Sequence, residues 1–597
     1  MMYKISEKIM HRVRWGLALG WLLLIVSLFY DPITPRFTQP GSNSPFALDP
    51  NVYTNPDLCV KIRDLCIPEQ PFSLSVLMWW AMIVPAGILI LMTFGHELWR
   101  RICPLSFFSQ IPRALGIQRR KKVRDPLTGE SSYEVVKIKE DSWLGRNHLY
   151  FQWGLFTLGL GARILFVNGD RYALGWFLIG TIACAIIVGY LYAGKSWCQY
   201  FCPMAPVQMV YTGPRSLLGS EAHTFSKPTI TQSMCRLIDP ETGDERSACV
   251  QCKAPCIDID SEQTYWSELK KPGRRLVQYG YIGMVISFYF YYFLYSGNWD
   301  YYFTGAWTHE ETLTSRLFDP GFYIHGVTIP IPKFIAVFMT YGIFTAATFL
   351  LGLILEKLYR RIASTMNGKP VSAEQAQHTM FTIFTLASFW VFFSYGARPS
   401  LNRLPEPMIL GFNALVVLVG AIWFYRTVSR KHDEYEREKV AASLRKQLRK
   451  LNPPVSALKG REIDDLSATE VYTLVNALTA FSKETRVNAY AGIVQDLLEQ
   501  GVLDPSDTTF CTGLREKLNL KDEDHFATLQ KIAQNQPELL VPKTATIQTS
   551  DLTLARPVSR DAATMTIPIL KSRNNRTQVG SLQNRRTSEI PINKGKD

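Results

Sequence analysis

Apolar residues along this chain come in long blocks separated by polar loops, rather than spread evenly as in soluble cores. A helix crosses the hydrocarbon core of a bilayer, about 30 Å thick, with roughly 20 mostly apolar residues. Eight blocks approach that length, of which the seventh is marginal: 15–30, 76–98, 149–167, 173–194, 277–296, 333–355, 379–395 and 407–425. The pattern predicts an all-α multi-pass membrane protein with about eight transmembrane helices.

Basic residues are divided unevenly between the loops on the two sides of this arrangement. One set of alternate loops carries 29 Lys and Arg in 168 positions, and the other set carries 7 in 97. Since Lys and Arg are retained on the cytoplasmic side, both termini are expected in the cytoplasm of a cell with a bacterial inner membrane or thylakoid membrane. The net charge of +14 partly reflects this sorting beside membrane lipid, so nucleic acid is not an expected partner.

The same pattern divides the chain into segments. In order they are a cytoplasmic N-terminus, four transmembrane helices, a cytoplasmic cysteine-rich segment, four further transmembrane helices and a charged connector helix: 1–14, 15–194, 195–276, 277–427 and 428–452.

The remainder changes character after Pro453 and Pro454, which end the connector helix. Residues 453–540 show helical periodicity with a capping box at Ser467 and Glu470, which predicts a small all-α cytoplasmic domain. The segment DLLEQGVLDPSDTTFCTGLREKLNLKDEDHF, from Asp496, resembles TerB-like helical modules, which implies a cytoplasmic protein partner. The tail, 541–597, has few large apolar residues and is expected to be disordered.

The predicted topology sorts the 11 cysteines. Cys59 and Cys66 fall in the first outer loop, where an oxidising compartment favours a disulfide. Cys184 and Cys511 are expected to be buried as small hydrophobic side chains. The other seven lie on the cytoplasmic side, where clustered cysteines indicate metal or redox chemistry: Cys103, Cys198, Cys202, Cys235, Cys249, Cys252 and Cys256.

Two cytoplasmic segments have the spacing of metal ligands. The sequence Cys198-x3-Cys202-Pro matches the closing half of the bacterial ferredoxin run, and CVQCKAPC places Cys249, Cys252 and Cys256 two and three residues apart. Cys235, fourteen residues before Cys249, is a natural additional ligand.

Zinc is the main alternative, because four cysteines with a C-x2-C pair also hold a structural zinc ion. The C-x3-C-P unit is less typical of zinc ribbons, and six cysteines between 198 and 256 exceed the need of one zinc ion. The spacing therefore favours iron-sulfur chemistry over zinc.

A repeat places this chemistry at the ends of membrane helices. GHELWRRICP, from Gly95, aligns with GKSWCQYFCP, from Gly194, so that two helical hairpins read as duplicates. Trp99 stands where the second copy has Cys198. Cys103 is equally interpretable as a cluster ligand or as a relic held by packing, and the seven cysteines fall one short of two four-thiolate clusters.

WCQYFCP together with CVQCKAPCIDID resembles the membrane polyferredoxins of the NapH and NosR type, over roughly residues 76–300. The resemblance implies a ferredoxin-like cytoplasmic loop with 4Fe-4S clusters that carry electrons to or from the membrane. This chain departs from the family at Trp99 and after Cys256, where no Cys-Pro ending follows. At least one 4Fe-4S cluster is expected, and a second would need a ligand other than cysteine.

Three functions remain open at this point. The first is an electron carrier between a cytoplasmic or quinol donor and a membrane redox partner, without substrate chemistry of its own. The second is a membrane-anchored iron-sulfur redox sensor that signals through its C-terminal helical domain. The third is a zinc-stapled structural or assembly protein.

Overall fold

The computed structural model describes most of the chain in helices. The described residues are 7–50, 59–63, 65–67, 70–124, 131–219, 222–224, 236–238, 245–247, 256–258, 260–368, 370–451, 461, 463, 466–467, 470–471, 483–499 and 508–540. Three predicted ligands, Cys235, Cys249 and Cys252, lie outside these residues, as does the tail predicted to be disordered.

Seven helices in the described part of the chain are long and apolar enough to cross a membrane. They cover Lys8–Phe29, Ser75–Phe108, Trp143–Val167, Arg171–Leu191, Lys333–Met366, Ala373–Leu401 and Glu406–Val428. By length and composition, the chain is therefore a multi-pass membrane protein, and each of these helices overlaps one predicted block.

The remaining predicted block, 277–296, lies in a helix of 23 residues, Arg274–Ser296, that does not reach the same apolar composition. Six tyrosines lower its hydropathy, and most of its residues are buried against neighbouring helices rather than exposed. Gly283 allows this helix to pack closely against a neighbouring helix, because a Cβ there would lie 2.4 Å from the carbonyl oxygen of Phe344. This helix therefore occupies the interior of the helical bundle.

The helices used below are numbered in chain order. They are α1 (Glu7–Phe29), α2 (Val84–Ile102), α3 (Pro104–Phe108), α4 (Trp143–Ala162), α5 (Arg171–Leu191), α6 (Ala205–Thr212), α7 (Ser261–Glu268), α8 (Arg274–Ser296), α9 (Lys333–Asn367), α10 (Ala373–Tyr395), α11 (Glu406–Val428), α12 (His432–Leu451), α13 (Lys483–Glu499), α14 (Thr508–Lys517) and α15 (Asp522–Asn535).

Side chains before the first turn fix where several of these helices begin. Asp170 accepts hydrogen bonds from the backbone N–H groups of Tyr172 and Ala173 at the start of α5. Ser142 accepts one from Gly145 at the start of α4. Because the first backbone N–H groups of a helix have no partner within it, these caps define the polar ends of two apolar segments.

Four short antiparallel hairpins connect the helices in the described residues. They pair β1 with β2, β3 with β4, β5 with β6 and β7 with β8: Val60–Ile62 with Leu65–Ile67, Arg120–Arg124 with Ser131–Val135, Arg236–Ile238 with Glu245–Ser247, and Pro320–Ile324 with Val327–Pro332. The apolar pattern predicts none of them, because each strand has six residues or fewer and lies between the long apolar blocks.

The C-terminal helices share an apolar core with α12. Leu444 and Leu448 of α12 pack in one cluster with Tyr490, Val494 and Leu497 of α13. The predicted capping box is confirmed: Ser467 N donates to Glu470 Oε2 at 2.8 Å, and Glu470 N donates to Ser467 Oγ at 3.3 Å.

Candidate functional site

The two repeated Cys-Pro segments have matching backbones. Cys103 has φ −62° and ψ 119°, and Cys202 has φ −61° and ψ 120°. Each segment starts from a glycine with positive φ, 70° at Gly95 and 64° at Gly194. Proline, which fixes φ and lacks an N–H, follows each cysteine directly. The backbone thus matches at the glycine and the cysteine of the two segments, while the duplication of the whole hairpins stays a prediction.

The two copies differ in the turn that precedes the cysteine. Cys103 N donates to Trp99 O at 2.8 Å, four residues back, whereas Cys202 N donates to Trp197 O at 2.8 Å, five residues back. The second copy is thus a π turn, Trp197–Phe201, a feature that is frequent at functional sites. Cys198 lies in this turn.

The position equivalent to Cys198 in the first copy is filled by an aromatic ring. A Cβ added to Gly87 of α2 would lie 3.1 Å from the Trp99 ring, so the indole packs against its own helix. Cys198, in contrast, is buried in a cluster with Cys202 and Trp197, against which Leu105 of the first copy packs. The second copy therefore places two cysteines where the first places one.

Cys103, Cys198, Cys202 and Cys256, called the thiol group here, are brought to one region by the fold. The pKa of the Cys202 thiol is raised, mainly by burial and to a smaller extent by the charges of neighbouring Cys198 and Cys103. Gln199 Nε2 donates to Cys256 Sγ at 3.9 Å, which places the loop after the cysteine-rich segment beside the π turn. All four are free of disulfides.

Three charged side chains, called the charged trio, join the segments that carry these cysteines. Asp258 Oδ1 accepts from Arg100 Nη1 at 2.9 Å, and Asp258 Oδ2 lies 3.1 Å from Lys195 Nζ. Each side chain is at most 4% exposed. Arg100 Nη2 also donates to the carbonyl oxygen of Cys198 at 3.4 Å. The trio therefore links the first copy, the second copy and the Cys256 loop.

The charge state of Asp258 follows from this contact. Burial raises the pKa of its carboxyl group, but the positive charges of Arg100 and Lys195 outweigh burial, and the net pKa lies below its ordinary value. Asp258 is therefore ionised near neutral pH, between Arg100 and Lys195.

Close packing of the two copies holds this arrangement. A Cβ added to Gly189 of α5 would lie 1.8 Å from the carbonyl oxygen of Ser109, so the helix before the second copy touches the backbone after the first. Gln110 Nε2 donates to Gly194 O at 2.8 Å. The ends of the two hairpins are thus in direct contact.

The remaining predicted ligands cannot be placed beside these. Cys235, Cys249 and Cys252 lie outside the described residues. Among the residues that are described, no three His, Cys, Asp or Glu side chains form a group able to hold one metal ion. The donor chemistry of the thiol group suits iron or zinc, and a complete four-thiolate set requires the other cysteines or a closer approach of these four.

The cysteines predicted to lie elsewhere have separate outcomes. Cys59 is disulfide-bonded, and its predicted partner Cys66 lies in β2, whose side chains are outside the described residues. Cys511 is buried in the core of the C-terminal helices, as predicted. Cys184 is exposed, so the prediction that it is buried is wrong: it lies on a face of α5 that no neighbouring helix covers.

A second group of charged residues joins the Cys256 region to the C-terminal helices. Glu262 in α7 accepts from Arg430 Nε at 2.8 Å and from Arg215 Nη2 at 3.2 Å. Glu438 in α12 contacts Arg430 and accepts from His223 Nε2 at 2.9 Å. We call these five residues the ion-pair cluster.

The pKa of Glu438 reflects its place in this cluster. Burial raises the pKa of Glu438, but the hydrogen bond with His223 and the contacts with Arg430 lower it by more. The net pKa of Glu438 therefore lies below its ordinary value. The cluster connects α7 and the segment after α6 to Arg430, just after α11, and to α12.

The sequence pattern did not indicate the charged trio as a site. Arg100 and Asp258 are 158 residues apart, and each lies in a segment where a charged residue is ordinary at a membrane boundary. The one available signal is that Asp258 stands two residues after Cys256, where the related ferredoxin motif has a different ending.

Comparison of the chain with protein-family models, with curated proteins and with solved structures found no match.

Proposed function

We propose that this chain is a membrane-bound iron-sulfur electron-transfer protein. The observation that carries the proposal is the pair of matching Cys-Pro turns, which brings Cys103, Cys198 and Cys202 from two repeated hairpins into one buried region. Thiolates held in a buried, hydrogen-bonded setting are the usual ligands of iron-sulfur clusters.

In this proposal the thiol group, completed by the cysteines of 235–252, holds at least one 4Fe-4S cluster, which when bound accepts and releases one electron at a time. The chain contributes the low-polarity surroundings of Cys198 and Cys202 and the positive charge of Arg100, which interacts electrostatically with Cys198 and Cys256. Burial and nearby charge are the properties by which a protein sets a cluster's reduction potential.

The test is the metal content of the purified, detergent-solubilised protein. We expect about four iron atoms and four acid-labile sulfides per chain for each cluster, brown colour that bleaches with dithionite, and an EPR signal in the reduced protein. A colourless protein with one zinc ion per chain and no sulfide would contradict the proposal and support a zinc-stapled structural protein.

A second function, a redox sensor, is favoured by the ion-pair cluster, because it joins α7, which begins five residues after Cys256, to the C-terminal helices through Glu438. We propose this function as the alternative to electron transfer. Limited proteolysis of the C-terminal helices is then expected to proceed at different rates in oxidised and dithionite-reduced protein.

Glu438→Gln is expected to abolish that difference, because it removes the negative charge that both Arg430 and His223 contact. Glu436→Gln is the matched control, since Glu436 lies on the same helix, is half-exposed and contacts only the nearby His432 among the ion pairs described. Proteolysis rates that are equal in both redox states of the wild-type protein would contradict the sensor function.

A further inference from the structure

A strongly basic hairpin stands beside the thiol group. Strand β3, Arg120–Arg124, has four basic residues in five positions and pairs with β4, Ser131–Val135. The side chains of Arg120, Lys121 and Lys122 are all exposed. Charge of this density on a short hairpin creates a local positive potential on the surface.

The base of this hairpin is fixed to the segment that leads into the second Cys-Pro copy. Arg119 N donates to Tyr190 O at 2.8 Å, and Ala193 N donates to Val136 O at 2.8 Å. Ala193 precedes Cys198 by only five residues. The hairpin therefore leaves the bundle at the same place as the turn that carries the buried thiols.

Cross-strand register sorts the charges of the hairpin onto two faces. Arg120 is opposite Val135, and Lys122 is opposite Tyr133, whose side chain is 68% exposed. Lys121 is opposite Glu134 and so lies on the other face. One face thus presents two cations around an exposed tyrosine, a composition found where proteins recognise acidic partners.

We propose that this basic hairpin is the docking surface for a soluble, acidic one-electron carrier protein. The proposal rests on the proposed electron-transfer function. If the thiol group holds an iron-sulfur cluster as proposed, a reduced carrier docked there would be oxidised by one electron and the cluster reduced by one, with no proton or covalent bond exchanged. Short, charge-steered contacts are typical of electron-transfer encounters, which bury little surface and separate quickly.

The alternative occupant of a basic hairpin at a membrane edge is anionic lipid. Elements that bind lipid by insertion place large apolar side chains opposite their cations. Here the face opposite Arg120 and Lys122 carries the Lys121–Glu134 pair, and the half-buried Val123 is its one large apolar side chain among the paired residues. The composition therefore favours an acidic protein.

The test uses the full chain in phosphatidylcholine nanodiscs, with a plant-type two-iron ferredoxin as the acidic probe. A gallium-substituted ferredoxin, which is redox-inert, reports binding alone. Replacing both cations, Arg120→Gln with Lys122→Gln, is expected to weaken its binding at low salt by about tenfold. The wild-type binding is expected to weaken by a similar factor when the ionic strength is raised to about 0.2 M, because exposed charges are screened.

The matched control is Lys357→Gln with Arg361→Gln, which makes the same charge change at two exposed positions of α9. It is expected to change ferredoxin binding less than twofold. Equal effects of the two double variants, or binding that does not depend on salt, would overturn the proposal. So would unchanged ferredoxin binding in the hairpin variant together with slower tryptic cleavage of the hairpin in nanodiscs that contain phosphatidylglycerol, because that result assigns the hairpin to lipid.

Measurements with the iron form of ferredoxin distinguish a failure of this docking proposal from a failure of the proposed electron-transfer function. Salt-dependent binding of the gallium form without electron uptake from the reduced iron form would support the docking surface and contradict electron transfer. Electron uptake at equal rates in wild type and hairpin variant would support electron transfer and contradict this docking surface.

Discussion

Serine in place of Cys202 is expected to lower the iron and acid-labile sulfide content of the purified protein by roughly tenfold, because a serine hydroxyl is a poor substitute for a thiolate ligand. Cys202 lies in the second Cys-Pro turn, where its backbone geometry is fixed and its side chain is buried among the other thiols. Iron and sulfide assays on protein purified without oxygen measure the effect.

Two cysteines outside the thiol group provide controls for this change. Cys184→Ser alters an exposed position on α5, and Cys511→Ser alters the C-terminal core. Both are expected to retain wild-type iron. If either lost as much iron as Cys202→Ser, the loss would reflect general destabilisation, and the assignment of Cys202 as a ligand would be wrong.

Cys103→Ser tests whether Cys103 in the first Cys-Pro segment is a cluster ligand or a relic held by packing. The matching backbone and the electrostatic interaction of Cys103 with Cys202 favour a ligand, so iron content is expected to fall as it does for Cys202→Ser. Wild-type iron in this variant would identify Cys103 as a packed relic of the duplication.

Asp258→Asn is expected to destabilise the protein by about 3–5 kcal/mol, because it leaves Arg100 and Lys195 buried without their shared carboxylate. Thermal unfolding of the detergent-solubilised protein measures the effect as a lowered midpoint. Asp300→Asn, at an exposed position, is the control and is expected to change stability by less than about 0.5 kcal/mol.

A double variant tests whether the loss of stability in Asp258→Asn comes from unbalanced charge or from altered packing of the side chain. The double variant Asp258→Asn with Lys195→Met removes Lys195 together with the carboxylate and leaves Arg100 as the buried cation. We therefore expect the double variant to lose less stability than the sum of the losses in the two single variants. A strictly additive double variant would show that the three side chains act independently, which contradicts the charged trio as one unit.

The membrane helices were predictable because their signal is local. Seven of the eight blocks correspond to apolar spanning helices, since about 20 consecutive residues determine such a helix. The block at 277–296 shows the limit of this reasoning, because its tyrosines are tolerated only by burial among other helices, and burial is not visible in a single segment.

The candidate site was predictable only in part, for a similar reason. The Cys-Pro repeat is a local pattern, and it located Cys103, Cys198 and Cys202. The contacts of Asp258 with Arg100 and of Glu262 with Arg430 join residues 158 and 168 positions apart, and these pairs depend on how the helices pack. Charged residues near membrane boundaries are too common for sequence alone to single these out.

The charged trio has a consequence for how the protein matures. Arg100 and Asp258 lie in a dry interior beside the cysteines, and Arg100 interacts electrostatically with Cys198 and Cys256. In the proposed metal-loaded protein these sulfurs would be anions, because a bound metal displaces their protons. Metallation would thus add negative charge beside Arg100, and the contact between the two hairpin ends is expected to be tighter after it.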